Sequence, residues 1–188
     1  LRTLGKTLGC LTSIDSFTQA LEALASNANS PFTDLLALEA VRLASAHLPE
    51  GNCPETMLAS IYSGLAFSNA SLGLVHAMAH ALGGWTDWPH GECVALLHRP
   101  VMEFNFPVAR NAYERFGELL GVQGKEDLLE RIEALGARCG SQNKLSERGI
   151  AREDLPELAA RAYRDPCAVT NPRPATAEQI EGIYERIF

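Results

Sequence analysis

The sequence has no excess of basic residues and no long apolar run. Its 16 Lys and Arg residues are outnumbered by 23 Asp and Glu residues, which gives a formal net charge of −7. Nucleic-acid binding depends on cationic side chains that neutralise phosphates, so this class of partner is disfavoured. No stretch is apolar for the roughly 20 residues that a bilayer-spanning helix needs, and no secretory leader opens the chain. We therefore expect a cytoplasmic protein with no nucleic-acid or membrane partner.

Paired cysteines and nucleotide-binding loops are also missing from the pattern. The five cysteines are odd in number and contain no CxxC pair; they are Cys10, Cys53, Cys93, Cys139 and Cys167. This spacing disfavours a disulfide framework and favours a reducing compartment. Neither GxGxxG nor GxxxxGK[ST] occurs, so this chain alone has no recognisable nucleotide-binding loop. The zinc-protease motif HExxH is absent as well.

What the sequence does contain is helical periodicity over most of its 188 residues, a length that suits one domain. Helices are predicted over 13–26, 29–48, 54–70, 71–84, 91–105, 108–120, 125–139, 152–164 and from Thr176 to the end. Thr176 and Gln179 form a capping box, and the proline-rich segment 165–175 before them is predicted to be a loop. No convincing alternating strand appears, so we predict an all-α fold.

Three details of this helical prediction can be tested directly. Ser13 is expected to be the N-cap of the first helix. The second helix is expected to bury an apolar face made of Leu35, Leu38, Val41 and Leu48. Pro100 is expected to end or kink the helix over 91–105, because proline removes a helical hydrogen bond.

Three of the five histidines lie in the short segment HAMAHALGGWTDWPH. His76 and His80 are four residues apart, so a helix places both rings on one face. The loop that contains Trp85 and Trp88 leads to His90 and could fold this third ring over the same face. Three imidazoles that converge suit a divalent metal, but a pair with this spacing is equally compatible with ordinary buried, hydrogen-bonded histidines. The two tryptophans either wall a pocket or pack under the loop.

Asp15 bears on the choice between these two interpretations. It lies on an otherwise apolar helix face, with Gln19 one turn later. A buried carboxylate must be paired or must coordinate a cation, whereas an exposed one near Ser13 would only cap the helix. The residue pattern alone leaves both readings open. His47 and His98 have no evident partners and are predicted to lie at the surface or at helix ends.

The segment GLAFSNASLGLVHAMAHALGGWTDWPHGECVALLHRPVMEFN (64–105) closely resembles the long signature of the iron-containing (group III) alcohol dehydrogenases. The segments 13–43 and 165–185 are similar to the start and the end of the helical domain of that family, in the dehydroquinate synthase-like superfamily. The resemblance implies that residues 1–188 are the helical metal and substrate domain of a two-domain enzyme. The N-terminal α/β domain, which binds NAD or NADP, is then absent from this chain. A homodimer is also implied.

The resemblance assigns roles to individual residues. Asp15, His76 and His90 match metal ligands, and Gln19 stands where the family has its fourth ligand, a histidine. His80 matches a catalytic histidine beside the metal and the nicotinamide cofactor. Phe67 and Cys167 match positions that line the substrate pocket, although both could equally be ordinary packing residues.

The implied reaction is hydride transfer between an alcohol or aldehyde substrate and NAD(P), with Fe²⁺ or Zn²⁺ as Lewis acid. Gln19 leaves three outcomes open: its amide oxygen binds the metal weakly, a water completes the shell, or the metal is lost. The last outcome corresponds to a metal-independent reductase of the maleylacetate reductase type, for whose anionic substrate Arg173 is a possible partner. A non-catalytic metal-binding helical module is the alternative if the chain exists alone.

Overall fold

The computed structural model describes residues 5–47, 53–139 and 144–188, and within these ranges the regular structure is helical. The helices are α1 (Lys6–Ala25), α2 (Pro31–His47), α3 (Pro54–Ala70), α4 (Leu74–Trp85), α5 (His90–Leu120), α6 (Lys125–Arg138), α7 (Leu155–Arg164) and α8 (Ala177–Glu185). Short 3-10 segments cover Ser146–Arg148, Arg152–Asp154 and Pro166–Thr170. No strand occurs in the described ranges, so the all-α prediction is confirmed.

The prediction for the start of the first helix was wrong. Helix α1 begins at Lys6, and Gly5 is its N-cap. Ser13 lies buried in the middle of the helix, where its hydroxyl donates a hydrogen bond to the Gly9 carbonyl at 2.8 Å. The helix propensity of the residues before Ser13 is weak, because they include Gly9 and two threonines. The helix starts earlier because Cys10 and Leu11 are buried in the core.

The predicted buried face of α2 was wrong at Leu35, which is 70% exposed. Leu48 lies outside the described residues. The face that packs inward consists mainly of small residues, Ala37, Ala40 and Ala44, together with Val41. Small side chains let α2 approach α1 and α3 closely. The buried face of α2 is therefore marked by its alanines and not by Leu35.

Pro100 neither ends nor kinks its helix at the predicted position. The two helices expected over 91–105 and 108–120 are joined in the single element α5, which departs from helical geometry at Ala109 (φ −101°, ψ 15°). Pro107, rather than Pro100, lies beside this bend. The long helix therefore consists of two helical segments that meet at this bend.

Two buried apolar clusters form the core. The first core cluster joins α1, α2, α3, the second half of α5 and α6, and the second core cluster joins α4, the first half of α5, α7 and α8. Phe17 and Phe116 meet edge to face at 4.8 Å in the first cluster. In the second, the Tyr184 hydroxyl donates to the Met78 carbonyl at 2.8 Å. The seam between the clusters is the place where α1 faces the start of α4.

A disulfide joins Cys10 on α1 to Cys139 at the end of α6, with the two Cα atoms 5.4 Å apart. The sequence disfavoured a disulfide framework, and it did not predict this single bridge between these two residues. Their separation of 129 residues hid the pairing, because no local spacing pattern connects them. Cys53, Cys93 and Cys167 are free thiols.

Within the described residues, no single helix is both long and apolar enough to cross a membrane. Helices α3 and α4 meet the length and composition requirement only when taken together, and they are bent by 103° relative to each other.

Candidate metal and active site

Three donor atoms from three helices converge at the seam between the core clusters. Asp15 on α1 places its Oδ1 atom 3.1 Å from Nε2 of His76 on α4. The same oxygen lies 3.4 Å from Nε2 of His90, the first residue of α5. All three ligand atoms lie within 4.8 Å of one another. One carboxylate and two imidazoles directed at one point form a donor set that suits a divalent cation.

His80 lies beside the rings of His76 and His90, but it is not one of the two histidines that converge with Asp15. Its ring lies 6.0 Å from that of His76, one helical turn away, and stacks on the ring of His90 at 5.6 Å with a tilt of 21°. His76 and His80 lie on one face of α4, as their four-residue spacing predicted. The pair that meets Asp15 is nevertheless His76 and His90.

Glu22 is a residue of the site that the sequence analysis missed. Its buried carboxylate accepts hydrogen bonds from the backbone N–H of Gly73 at 3.0 Å and of Val75 at 2.7 Å. It also lies 2.6 Å from Nδ1 of His76. Because an ionised carboxylate only accepts, Nδ1 of His76 donates to Glu22, and Nε2 is the nitrogen that faces Asp15. The seven-residue spacing from Asp15, two turns on one helix face, was the signal that could have revealed it.

Gly73 makes the close approach of Glu22 possible. A Cβ atom at this position would lie 2.8 Å from Oε1 of Glu22 and 3.0 Å from Oδ1 of Asn171. Asn171 in turn accepts from the backbone N–H of Leu74 at 3.1 Å. The start of α4 is thus held by two side chains, and this fixes the position of His76 two residues later.

The charges at the seam are strongly coupled. Burial alone would raise the pKa of Asp15, but hydrogen bonds from His76 and His90 outweigh it and lower this pKa to about 2. Burial alone would lower the pKa of His76, but the Glu22 charge and the hydrogen bonds to Asp15 and Glu22 raise it to about 9. The two carboxylates therefore stabilise positive charge at the point where the imidazoles meet.

Gln19 contacts the cluster as a hydrogen-bond donor. Its amide Nε2 donates to Oδ2 of Asp15 at 2.9 Å, and its carbonyl oxygen accepts from the Ser63 hydroxyl at 3.1 Å. An ionised carboxylate cannot donate, so the N–H group is the end of the amide that suits Asp15. The carbonyl oxygen, which is the atom able to bind a metal, is directed towards Ser63 and away from the histidines. Ligation through the Gln19 amide oxygen, one of the three outcomes left open by the sequence, therefore stays a prediction that would require the amide to turn.

A second group of donors lies on the other side of His80. Nδ1 of His80 is 2.9 Å from Oδ2 of Asp165, and the other carboxylate oxygen accepts from the backbone N–H of Cys167 at 2.8 Å. Burial and the neighbouring Asp165 raise the pKa of the Cys167 thiol to about 12. Burial would raise the pKa of Asp165, but the hydrogen bonds from Cys167 and His80 outweigh it and lower the value.

The other predicted pocket residues are mainly packed against the core. Phe67 is partly buried against the first core cluster, and Cys167 against the second. Trp85 and Trp88 both pack against the second core cluster, under the guanidinium groups of Arg161 and Arg148 at 4.7 and 5.1 Å. Both tryptophans therefore have packing partners, and their role as walls of a pocket stays a prediction.

Arg173 and His98 have structural partners. The Arg173 guanidinium stacks over the Phe104 ring at 4.1 Å and donates to the Phe104 carbonyl at 2.8 Å. His98 is buried, and its Nδ1 lies 3.2 Å from the Thr18 hydroxyl. The prediction of a surface or helix-end position was wrong for His98 but confirmed for His47, the last residue of α2. The face of α5 that meets α1 could not be recognised from one sequence.

The Asp–His–His cluster of this all-helical domain is a candidate metal site, and comparison with known proteins identifies the family to which the chain belongs. Residues 10–188 match the model of the Fe-containing alcohol dehydrogenase family, C-terminal. The chain belongs to this family, which confirms the resemblance seen in the sequence.

Individual relatives agree with this assignment. The chain is 37% identical over 184 residues to a probable alcohol dehydrogenase, EutG, of Escherichia coli (strain K12), with 93% of this chain and 47% of the relative covered. It is 33% identical over 197 residues to 1,3-propanediol dehydrogenase of Klebsiella pneumoniae, with 96% and 51% covered. A crystal structure of 1,3-propanediol oxidoreductase superposes with a TM-score of 0.92 at 31% identity, with 99% and 53% covered. The chain therefore spans about half the length of these relatives.

Proposed function

We propose that the chain is the metal-binding and substrate-binding half of an NAD(P)-dependent alcohol dehydrogenase that interconverts an alcohol and an aldehyde. The observation that carries the proposal is the convergence of Asp15 Oδ1 with Nε2 of His76 and of His90, in a chain whose family contains alcohol dehydrogenases. The other half of the enzyme, a nucleotide-binding domain, would supply most of the NAD or NADP site. A homodimer remains part of the proposal.

The residues present fit a divalent cation, Fe²⁺ first and Zn²⁺ second. Asp15, His76 and His90 would hold the metal ion. Gln19 donates a hydrogen bond to Asp15, so the remaining coordination positions of the ion would be open to water or substrate. When bound, the metal supplies Lewis acidity that lowers the pKa of an alcohol or polarises an aldehyde carbonyl. Bound NAD(P) supplies the hydride acceptor or donor.

The chain's own residues prepare the site. Glu22 holds a proton on Nδ1 of His76, so that Nε2, which faces Asp15, is the nitrogen that would bind the metal after losing its own proton. Asp165 holds the His80 ring from its Nδ1 side, which leaves Nε2 of His80 free to move a proton or to contact the nicotinamide. Phe67 and Cys167 remain the proposed substrate contacts.

A metal-independent reductase is the second candidate. The orientation of Gln19 favours it, because the position that provides a ligand in the family here provides a hydrogen-bond donor to Asp15. Arg173 gives this alternative little support as an anion partner, since its described contacts are with Phe104 and Asn171.

Metal content decides between the two candidates. Protein purified without oxygen would be measured by elemental mass spectrometry, alongside Gln19→His and Asp15→Asn variants. We expect the parent to hold about one Fe or Zn per chain more than Asp15→Asn does. Metal-assisted catalysis in the parent would be rejected if the parent and Asp15→Asn had equal metal content. If Gln19→His then bound one further ion per chain, the metal-independent reductase would be favoured.

A further inference from the structure

We propose that His80, Asp165 and Cys167 form a second divalent-cation site, separate from the Asp15, His76 and His90 cluster, that binds Zn²⁺ or an ion of similar softness. One nitrogen, one oxygen and one sulfur are offered, and the three donor atoms lie within 4.8 Å of one another. We call this group the thiol site. Its binding of a metal does not depend on the proposed function.

The local fold directs all three donors to one place. Asp165 ends α7, and Cys167 follows two residues later in the 3-10 segment Pro166–Thr170. The backbone N–H of Cys167 holds one oxygen of Asp165 at 2.8 Å, so the other oxygen is turned towards Nδ1 of His80 at 2.9 Å. Helix α4 packs against this segment and thereby supplies the third donor.

The dimensions suit a small tetrahedral ion. Zinc lies about 2.0–2.1 Å from nitrogen and oxygen ligands and about 2.3 Å from sulfur, which requires donor atoms roughly 3.5 Å apart. Donors already within 4.8 Å reach this spacing by small side-chain rotations. The His80 side chain is 44% exposed and that of Asp165 is 16% exposed, so an ion can enter from solvent and water can complete the shell.

The chemistry of the thiol site differs from that of the Asp15 cluster. Sulfur favours zinc and softer ions, whereas Asp15, His76 and His90 offer only oxygen and nitrogen. Binding forms a metal–sulfur bond and releases the Cys167 thiol proton to solvent. The two negative ligands, the Asp165 carboxylate and the Cys167 thiolate, then balance the charge of a divalent ion. Nδ1 of His80 gives up the proton that it shares with Asp165, the ring keeps a proton on Nε2, and Nδ1 then binds the ion in place of the hydrogen bond to Asp165.

Occupation of the thiol site would affect the neighbouring cluster. The His80 ring, which stacks on His90 at 5.6 Å, would be fixed by the ion. If the proposed function holds, an ion here removes both His80 and Cys167 from the reaction, so excess zinc would inhibit an enzyme that needs a metal at Asp15.

Sulfur-to-metal charge-transfer absorption provides the test, because the Asp15 cluster contains no sulfur. Metal-free protein would be titrated with Cd²⁺ and, without oxygen, with Co²⁺. We expect one equivalent of thiolate-bound ion in the parent and in an Asp15→Asn variant. The absorption should disappear in Cys167→Ser and weaken in Asp165→Asn, with unchanged far-ultraviolet circular dichroism.

Cys53→Ser is the matched control, since Cys53 lies near His47 and Glu55 in another group of possible ligands. Thiolate absorption that survives in Cys53→Ser supports the thiol site. Absorption that is lost in Cys53→Ser but kept in Cys167→Ser overturns the proposal, as does the absence of absorption in the parent. Failure of the proposed function is separately visible, because it concerns only the metal that Asp15→Asn removes.

Discussion

At the scale of single residues, Glu22 determines which nitrogen of His76 faces the cluster. It accepts from Nδ1 of His76 and from two backbone N–H groups at the start of α4. Glutamine would turn an N–H group towards one of these donors, so Glu22→Gln should disturb the ring. Loss of such a supporting contact typically weakens metal binding about 10- to 100-fold.

Competition with a chromogenic chelator would measure this change in metal affinity. Glu39→Gln is the matched control, because Glu39 pairs with Arg42 on the exposed side of α2. Equal metal affinity in Glu22→Gln and the parent would mean that Glu22 only anchors α4.

His98 makes a second prediction at this scale, one of pH dependence. Burial, and to a lesser degree the charge of His76, lowers the pKa of its imidazole from 6.5 to about 3. Between these values the unfolded chain binds a proton that the folded protein excludes, so His98 reduces stability as the pH falls. From pH 7 to pH 5 we expect a loss of about 2 kcal/mol that is absent in His98→Gln.

Urea unfolding at the two pH values tests this prediction on metal-free protein. His47→Gln at the exposed end of α2 controls for the removal of an imidazole as such. A parallel decline in the parent and in His98→Gln would show that His98 does not contribute to the acid sensitivity.

At the scale of secondary-structure elements, Gly91 sets the distance between α5 and α1. A Cβ atom there would lie 2.5 Å from the Leu11 carbonyl oxygen, a backbone atom that cannot rotate away. Gly91→Ala should therefore destabilise the protein by about 1–3 kcal/mol and displace the adjacent His90. Gly64→Ala in α3 meets nothing within 4 Å and should instead stabilise by about 0.5–1 kcal/mol. Thermal unfolding of both variants measures the contrast, and similar shifts would refute it.

The disulfide between α1 and the end of α6 makes a separate prediction. It closes a loop with a sequence separation of 129 residues, and such a constraint on the unfolded chain contributes about 4–5 kcal/mol in the loop-entropy description. We expect a lower melting temperature in Cys139→Ser and in reduced parent protein. Cys53→Ser keeps the disulfide and places a good capping residue at the N-cap of α3, so it should melt no lower than the parent. A parent melting temperature unaffected by reduction would contradict the prediction.

At the scale of the whole molecule, helix positions and family membership were accessible from the sequence, whereas contacts between helices were not. Periodicity and capping signals found α3, α6 and α8 because these depend on neighbouring residues. The burial of His98 and the pairing of Cys10 with Cys139 depend on partners far away in the sequence. The spacing of residues in a single sequence carries no record of such partners.

In the candidate site, too, some residues could be predicted from the sequence, whereas contacts between helices could not. The family resemblance indicated Asp15, His76 and His90, and spacing alone would have chosen His76 and His80. Glu22 and the donor orientation of Gln19 became visible only when α1 was seen against α4 and α3. These contacts arise from packing, which the residue types do not specify.

The seam described above has a consequence for how the protein unfolds. Asp15 belongs to a helix of the first core cluster, His76 to a helix of the second, and α5 runs through both. A cation at the Asp15 cluster would couple the two halves into one cooperative unit. In calorimetry, the ratio of the van't Hoff enthalpy to the calorimetric enthalpy of unfolding should be one for metal-loaded protein. The same ratio should be below one for metal-free protein. The seam would then be the boundary at which the two halves of the metal-free protein separate during unfolding, and the metal would stabilise it.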